Sequence, residues 1–237
     1  AGAPGGIGVA IAKVFKDLGA ELFITSTTER IHERAEELGV TGLVADLTSE
    51  SDSLRVIASI ERLDVLVNNA GMTSVSSSLG TDEASDLTNV TNEAWQRGIQ
   101  RNLDTAFNLT KVALPLLRKS DNGRIIMVSS VTGGLMAMAN QSVYAAAKAA
   151  MIGLMRSIAL DEAKYGVTCN AILPGWIETD TQSAHEKLQG FKTPLGRNGK
   201  PKEIASLVGW LASNDAGYMT GQTLVIDGGN SISEERA

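Results

Sequence analysis

The chain has 237 residues, 43% of them hydrophobic and only 4% aromatic, with a net charge of −6 and an isoelectric point near 5.0. This size and composition suit one α/β domain over residues 1–237 with a large aliphatic core. The acidic balance argues against nucleic acid or an anionic membrane surface as a partner. No unbroken apolar run reaches about 18 residues and no basic, then apolar leader begins the chain, so we expect a cytoplasmic protein without membrane insertion or export.

A glycine-rich turn leads directly into the first predicted helix. The chain opens AGAPGGIG, which places Gly2, Gly6 and Gly8 at the head of an apolar helical pattern that ends at Gly19. Glycine lets the backbone turn tightly and approach a pyrophosphate, and a helix N-terminus supplies N–H groups and partial positive charge. The turn therefore predicts a phosphate site, although such a glycine string alone also suits an ordinary turn.

Short apolar runs alternate with helical segments along the rest of the chain. A helix is predicted around Arg30–Leu38, and six runs read as buried strands: ELFIT, GLVAD, DVLVNNAG, RIIMVSS, VTCNAILPG and TLVIDGG. This alternation is typical of a Rossmann-type α/β fold, a doubly wound parallel sheet covered by helices on both faces in three layers.

Tyr144 and Lys148 lie four residues apart in the run VYAAAKAAM, so a helix places them on one face. The ammonium would lower the phenol pKa from about 10 and make Tyr144 a general acid or base. Ser130, at the end of the strand RIIMVSS, could hydrogen-bond a substrate oxygen that the tyrosine protonates. An isolated Tyr and Lys at this spacing more often form a solvated helix face, so the pair gains weight from the motifs around it.

The cysteine and histidine content predicts neither a disulfide nor a metal site. Cys169 is the single cysteine and lies in an apolar run, which indicates a core position. His32 and His185 are the two histidines, and neither has metal-ligand neighbours at useful spacing.

Together, these motifs resemble the classical short-chain dehydrogenase/reductase family from end to end, and within it the 3-oxoacyl-(acyl carrier protein) reductase-like branch. The tail GYMTGQTLVIDGG also fits that branch. The family's motifs appear as Gly2, Gly6 and Gly8 (the glycine turn), Asn68, Asn69, Ala70 and Gly71 (a strand end), Asn102, Ser130, Tyr144 and Lys148 (the catalytic tetrad), and Pro174 and Gly175.

The resemblance implies hydride transfer between a nicotinamide cofactor and a small carbonyl or alcohol substrate. Ser130 and Tyr144 would hold the substrate oxygen, with Ser129 as the rival serine. Lys148 would also bond the nicotinamide ribose, and Asn102 would hold a water that returns the proton. The implied cofactor contacts are Gly2, Gly6, Ile7, Gly8, Ser26, Thr27, Asp46, Leu47, Asn68, Ala70, Gly71, Tyr144, Lys148, Pro174, Gly175, Ile177 and Thr179. Asp46 also suits a strand-end cap, and Thr179 also suits a helix N-cap.

The end of the second family strand favours NADP(H) over NAD(H). NAD-preferring relatives carry an Asp there, whereas eighteen residues on from Gly8 this chain has Ser26. The hydroxyls of residues 25–28, with Arg30, can bind a 2′-phosphate. Two features point the other way: the glycine turn has no basic residue, and Glu29 is a nearby carboxylate that could reach a ribose.

Family members have an apolar strand before the glycine turn, and this sequence starts at the turn itself. A sheet without that central strand would expose two strand edges and lose much of its core. We therefore expect the working protein to have the strand.

The sequence says less about the substrate. Thirty residues separate Gly71 from Asn102, and their Ser/Thr-rich, acidic stretch predicts an exposed loop near the site, where Asp82, Glu83 and Asp86 would repel an acidic carrier protein. Residues 176–198 are the predicted substrate lid. The lid segment from Glu178 to Leu195 and four further residues are predicted to wall a fairly apolar pocket, with the core as the alternative for the two methionines: Met136, Met138, Gln141 and Trp176.

The leading hypothesis is an NADP(H)-dependent reductase that converts a ketone, 3-oxoacyl or another small to medium carbonyl compound, to a secondary alcohol. The alternatives are an NAD-dependent secondary-alcohol dehydrogenase and, from another class, a catalytically silent dinucleotide-binding protein. Helices around Trp95–Leu117 and Val143–Asp161 have one face with few charges, which suits a subunit interface. With the resemblance, they predict a homodimer or homotetramer.

Overall fold

The computed structural model describes residues 6–71, 83–180 and 182–234, where helices alternate with parallel strands. The helices are α1 (Gly6–Asp17), α2 (Arg30–Leu38), α3 (Glu50–Ala58), α4 (Asn92–Ile99), α5 (Thr105–Leu117), α6 (Val131–Gly134), α7 (Ser142–Glu162), α8 (Ala184–Phe191) and α9 (Pro201–Ala212). The strands are β1 (Phe23–Ser26), β2 (Thr41–Val44), β3 (Val65–Asn68), β4 (Arg124–Val128), β5 (Thr168–Pro174) and β6 (Thr223–Ile226). A π-helical segment, Gln100–Asp104, joins α4 to α5.

All six predicted strands form, and their hydrogen bonds make two parallel sheets. One sheet is β1–β2, and the other has the order β3–β4–β5–β6. The division arises because, among the described residues, β1 and β3 are not hydrogen-bonded to each other.

Helices cover both faces of the four-stranded sheet, which confirms the predicted three-layer architecture. Successive residues of β4 point to opposite faces, and all five are buried. Ile125 and Met127 belong to the core beneath α5 and α7, whereas Ile126 and Val128 belong to the core beneath α1 and α9.

Helix α1 connects the two sheets through its apolar side chains. Ile11 and Phe15 belong to the core that contains β4 and packs against β3. Ala12, between them, belongs to a separate core with Ile24 of β1 and Ile31 of α2. The helix that follows the glycine turn therefore holds the β1–β2 pair beside the larger sheet.

Two interior features bear on the sequence predictions. Cys169 is fully buried in the core beneath α5 and α7, as predicted, and burial raises its thiol pKa. Within the described residues, one helical stretch, Ser142–Tyr165, meets the length and apolarity of a membrane span, with 39% of its most apolar window buried; core helices often meet the same criterion. The search for unbroken apolar runs had not anticipated this stretch.

The short turn α6 packs against α7 with no room for a side chain. Ser130 caps this turn, because its Oγ accepts a hydrogen bond from Thr132 N at 3.1 Å. Gly133 has a φ of 89°, and a Cβ atom there would overlap the carbonyl oxygen of Ala145, the neighbour of Tyr144. The backbone contact therefore sets the distance between Ser130 and Tyr144.

We expect Gly133→Ala to lower the free energy of unfolding by at least about 2 kcal/mol, because the new methyl group meets backbone and the φ is strained. The matched control is Gly153→Ala, on α7 with nothing within 4 Å, which should be neutral or stabilising by up to about 1 kcal/mol. Urea unfolding of both variants gives the comparison. Equal stability of the two variants would contradict this account of α6.

Candidate active site

The carboxyl ends of the parallel strands open into a cleft of about 990 Å³. Its lining comes from the ends of β1 to β5, the first turn of α1, and the segment that leads into α8. A cleft at the carboxyl edge is where open parallel sheets bind their ligands.

Most of the residues predicted for the site line this cleft. Those that do are Gly6, Ile7, Gly8, Ser26, Thr27, Asp46, Leu47, Ala70, Gly71, Ser130, Tyr144, Lys148, Pro174, Gly175, Ile177 and Thr179. Asn68 and Asn102 do not, and Gly2 falls outside the described residues. The structure thus brings together residues that lie more than 170 positions apart in the sequence.

Ser130 and Tyr144 meet inside the cleft, where their side chains are hydrogen-bonded. The rival serine, Ser129, uses its hydroxyl differently: it is buried, and its Oγ donates to the carbonyl oxygen of Lys148 at 2.9 Å. Ser130 is therefore the serine placed to share a ligand oxygen with the phenol.

Lys148 is buried between α7 and the end of β4. Its Nζ donates to the carbonyl oxygen of Val128 at 3.0 Å and lies 5.6 Å from the centre of the Tyr144 ring. A Cβ at Gly71 would lie 3.4 Å from this Nζ and 2.8 Å from Oδ1 of Asn102, so glycine leaves room for both polar groups. Burial lowers the pKa of Lys148 to about 8 from 10.5.

The pKa of Tyr144 departs from the sequence prediction. Burial is the largest effect and raises the pKa above 10.0, because it disfavours the charged phenolate. The hydrogen bond with Ser130 lowers it, and the carboxylate of Glu186 raises it further. Tyr144 is therefore a protonated phenol at neutral pH in this cleft, contrary to the expected lowering by Lys148.

Asn102 lies in the π-helical segment between α4 and α5. It is buried, and its Nδ2 donates to the carbonyl oxygen of Gly98 at 3.0 Å. Its Oδ1 lies on the side of Gly71 and Lys148. The side chain thus stands behind the cleft wall, next to the lysine ammonium.

Asn68 and Asp46 form hydrogen bonds within the fold. Asn68 is buried, with its Nδ2 donating to Thr110 Oγ1 at 2.8 Å and contacting Met127 Sδ, whereas its neighbour Asn69 lines the cleft. Asp46 Oδ1 accepts from the backbone N–H and hydroxyl of Thr48 at 3.0 and 2.7 Å. The strand-end cap considered for Asp46 is therefore present.

The segment after β5 approaches the glycine turn. Gly6 has a φ of 54°, and a Cβ there would lie 3.0 Å from Cγ2 of Thr179. The N-cap of α8 is Ser183, not Thr179, and it forms a capping box with Glu186. The helix-cap alternative for Thr179 is thereby excluded at α8.

The predicted pocket wall is largely present. Met136, Met138 and Trp176 line the cleft, but Gln141 is buried and its carbonyl oxygen accepts from Ala145 N at the start of α7. Further polar residues of the predicted lid line the cleft, namely Asp180, His185, Glu186 and Gln189. Four polar residues that the sequence analysis did not single out also line it: Arg34, Arg97, Gln100 and Arg101. The i, i+3 and i+4 spacing of the last three was the available signal.

Glu83 corrects a prediction about the loop before α4. The sequence placed its carboxylate on an exposed acidic loop, but it is buried and paired with Arg101. Asp86 is exposed and caps the turn at 87–89, and Asp82 lies outside the described residues. Glu83 thus adds no surface charge against a carrier protein.

Within residues 6–71, 83–180 and 182–234, no group of three or more His, Cys, Asp or Glu side chains is placed to hold a metal ion. The polar groups that meet in the cleft are instead a phenol, a hydroxyl and an ammonium. This set suits proton transfer to or from an oxygen atom.

We expect Lys148→Met to raise the free energy of unfolding at pH 7 by on the order of 1–2 kcal/mol, the desolvation cost of the ammonium less the lost bond to Val128. The unfolded amine titrates near 10.5 and the folded one near 8, so the wild type gains stability as pH rises through this window. The advantage of the variant should therefore shrink from pH 8 to 10.5. Denaturant unfolding across this range, with the exposed Lys119→Met as control, tests it; a pH-independent difference would contradict it.

The chain is similar to known oxidoreductases over nearly its whole length. A family model described as enoyl-(acyl carrier protein) reductase matches residues 2–231. The 3-oxoacyl-[acyl-carrier-protein] reductase FabG of Vibrio cholerae is 39% identical over 239 residues, covering 96% of this chain and 94% of that protein. The oxidoreductase UcpA of Salmonella typhimurium is 35% identical over 254 residues, covering 98% and 93%.

A solved structure shows the same architecture. A mutant short-chain dehydrogenase/reductase from Serratia marcescens matches with a TM-score of 0.85 and 28% identity, over 97% of this chain and 95% of that one. The sequence and structural matches agree with the fold. The chain therefore belongs to the short-chain dehydrogenase/reductase family, and it is an oxidoreductase that interconverts CH–OH and C=O groups with NAD(P).

Proposed function

We propose that this protein reduces a small to medium ketone to a secondary alcohol with NADPH. The observation that carries the proposal is the phenol of Tyr144, protonated and hydrogen-bonded to Ser130 in the cleft beside the buried Lys148. A neutral phenol can donate a proton, which reduction requires and alcohol oxidation does not. The similarity to FabG, a named 3-oxoacyl-[acyl-carrier-protein] reductase, supports a ketone substrate.

In the proposed reaction, Ser130 and Tyr144 donate hydrogen bonds to the carbonyl oxygen of the ketone and hold it in place. A nicotinamide cofactor bound in the cleft would supply the hydride for the carbonyl carbon. The O–H bond of Tyr144 breaks as the new O–H bond forms on the substrate, so the product is a neutral alcohol. Lys148 stabilises the phenolate that results, and Asn102, behind it, supports the return of a proton.

The shape of the cleft fits a dinucleotide along the strand ends. Glycines at Gly6 and Gly71 leave space that a Cβ would fill, and α1 offers its N-terminus there. Gly6, Ile7 and Gly8 would hold the pyrophosphate, and Lys148 the nicotinamide ribose. Pro174, Gly175, Ile177 and Thr179 would surround the nicotinamide.

The preference for NADP(H) is supported by charge at the β1 end of the cleft. Ser26, Thr27, Arg30 and Arg34 line this end. The carboxylate there, Asp46, is engaged by its bonds to Thr48. Glu29, the other candidate, is exposed and does not line the cleft, and it lies 3.4 Å from His32. Hydroxyls and guanidinium groups suit a 2′-phosphate better than a ribose diol.

Three further features belong to the proposal. Residues 176–198, which include α8, act as a lid over the substrate. The protein is a cytoplasmic homodimer or homotetramer, with α4, α5 and α7 at the subunit interface. Large apolar side chains on these helices are partly exposed, namely Trp95, Phe107 and Leu160.

We expect Tyr144→Phe to lower kcat for ketone reduction by about 100-fold or more, because the proton donor is lost. The NADPH dissociation constant should change less than about threefold, since the ring remains in place. Stopped-flow kinetics and a fluorescence titration with NADPH measure the two. Unchanged turnover would contradict the role of Tyr144, and cofactor binding without turnover of any ketone by the wild type would favour the silent dinucleotide-binding protein.

We expect Arg30→Gln to weaken NADPH binding by about tenfold and leave NADH binding unchanged, because the guanidinium would pair with the 2′-phosphate alone. Arg62→Gln is the control, since Arg62 is exposed and does not line the cleft. Fluorescence titrations with both cofactors give the constants. A wild-type preference for NADH would instead favour the secondary-alcohol dehydrogenase.

A further inference from the structure

The wall of the cleft that α8 contributes is acidic where it faces Tyr144. Glu186 lines the cleft from this helix, next to His185 and near Asp180. The carboxylate of Glu186 raises the pKa of the Tyr144 phenol, and both side chains line the same cleft. A ligand held by the phenol therefore shares the cleft with this negative charge.

Local hydrogen bonds hold Glu186 in this position. Its Oε2 accepts from the backbone N–H of Ser183 at 2.7 Å, and Ser183 Oγ accepts from the N–H of Glu186 at 3.2 Å. This capping box starts α8 and restricts the glutamate side chain. The charge is thus a fixed feature of the cleft wall.

Lysine and arginine side chains line the cleft from parts of the fold outside the lid. Lys148 is on the sheet side, buried and bonded to the carbonyl oxygen of Val128. Arg97 and Arg101 line the cleft from α4 and the π-helical segment, and Arg101 is paired with Glu83.

His185 is the basic side chain that the described part of the lid contributes to the cleft. Among the described residues of the lid, no lysine or arginine lines the cleft, and Arg197 is paired with Glu203. A substrate group that extends from the carbonyl toward α8 therefore meets carboxylates and no lysine or arginine from the described part of the lid. An ammonium there would be attracted, and a carboxylate or phosphate repelled.

We propose that Glu186 determines substrate specificity by selecting ketones that carry an ammonium group near the carbonyl and disfavouring those with an anionic group there. This inference rests on the proposed function. It names a substrate class, amino ketones, that the reductase chemistry alone does not specify. Glu186 acts on the second substituent of the ketone, whereas Tyr144 and Ser130 act on the oxygen.

The test uses three methyl ketones that differ only in a terminal ammonium, hydroxyl or carboxylate, two methylene groups from the carbonyl. We expect the wild type with NADPH to favour the ammonium ketone over the carboxylate ketone by about tenfold or more in kcat/KM. In Glu186→Gln the ratio should fall by about tenfold, while the hydroxyl ketone changes less than about threefold. Glutamine keeps the oxygen that accepts from Ser183, so α8 should persist.

Two controls separate charge from lid structure. Glu178→Gln removes an exposed carboxylate of the same lid that does not line the cleft, and it should leave the ratio unchanged. Ser183→Ala weakens the cap but keeps the charge, and it should preserve the preference for the ammonium ketone.

Calorimetric titration of the three ketones into the NADP⁺ complex measures the same preference without turnover. A ratio that is equal in the wild type and Glu186→Gln, by kinetics or by calorimetry, would overturn the inference. Reduction of the hydroxyl ketone would then still support the proposed function. Conversely, a charge preference in binding with no reduction of any ketone would support the role of Glu186 and reject the proposed function.

Discussion

Two hydrogen bonds between the end of β4 and α7 hold the candidate site together. The Lys148 ammonium donates to the carbonyl oxygen of Val128, and the Ser129 hydroxyl donates to the carbonyl oxygen of Lys148. They join the end of strand β4 to helix α7, and each element donates one of the two bonds. Ser130 follows Ser129 directly, and Tyr144 lies one helical turn before Lys148. The meeting of hydroxyl and phenol is thus a consequence of how strand and helix are joined.

This attachment buries a charged group and brings the backbone very close to neighbouring atoms, and both are unfavourable in a protein interior. An ammonium is buried, and its pKa falls to about 8 as a result. Glycines at Gly71 and Gly133 allow the chain to pass close to polar groups that a side chain would displace. The four-stranded sheet and its two apolar layers support this arrangement, because β4 is buried along its whole length. The stability of the apolar core thus offsets the unfavourable burial of the Lys148 ammonium.

Arginines line the cleft at its β1 end, and a carboxylate lines it on the lid, so a ligand would meet opposite charges in these two places. Arginines of α2 stand at the β1 end, whereas Glu186 stands on the lid near Tyr144. The carboxylates of Asp46 and Glu83 are engaged by internal contacts, and Glu83 does not line the cleft. Under the proposed function, the basic end receives the phosphates of the cofactor and the acidic end receives the substrate. Burial keeps the phenol protonated between them.

The sequence by itself determined the strands, the helices and the residues that the site brings together, because periodicity and motif spacing are local properties of the chain. Ser130, Tyr144 and Lys148 follow from that level, as does the glycine turn before α1. The tertiary structure alone decided which polar side chains face the cleft: Asn68 and Gln141 are buried and do not line it, and Asn68 binds Thr110, which is distant in sequence. It also decided the direction of the Tyr144 pKa and the contributions of Arg101 and Glu186, because burial and electrostatic fields depend on groups that only folding brings close.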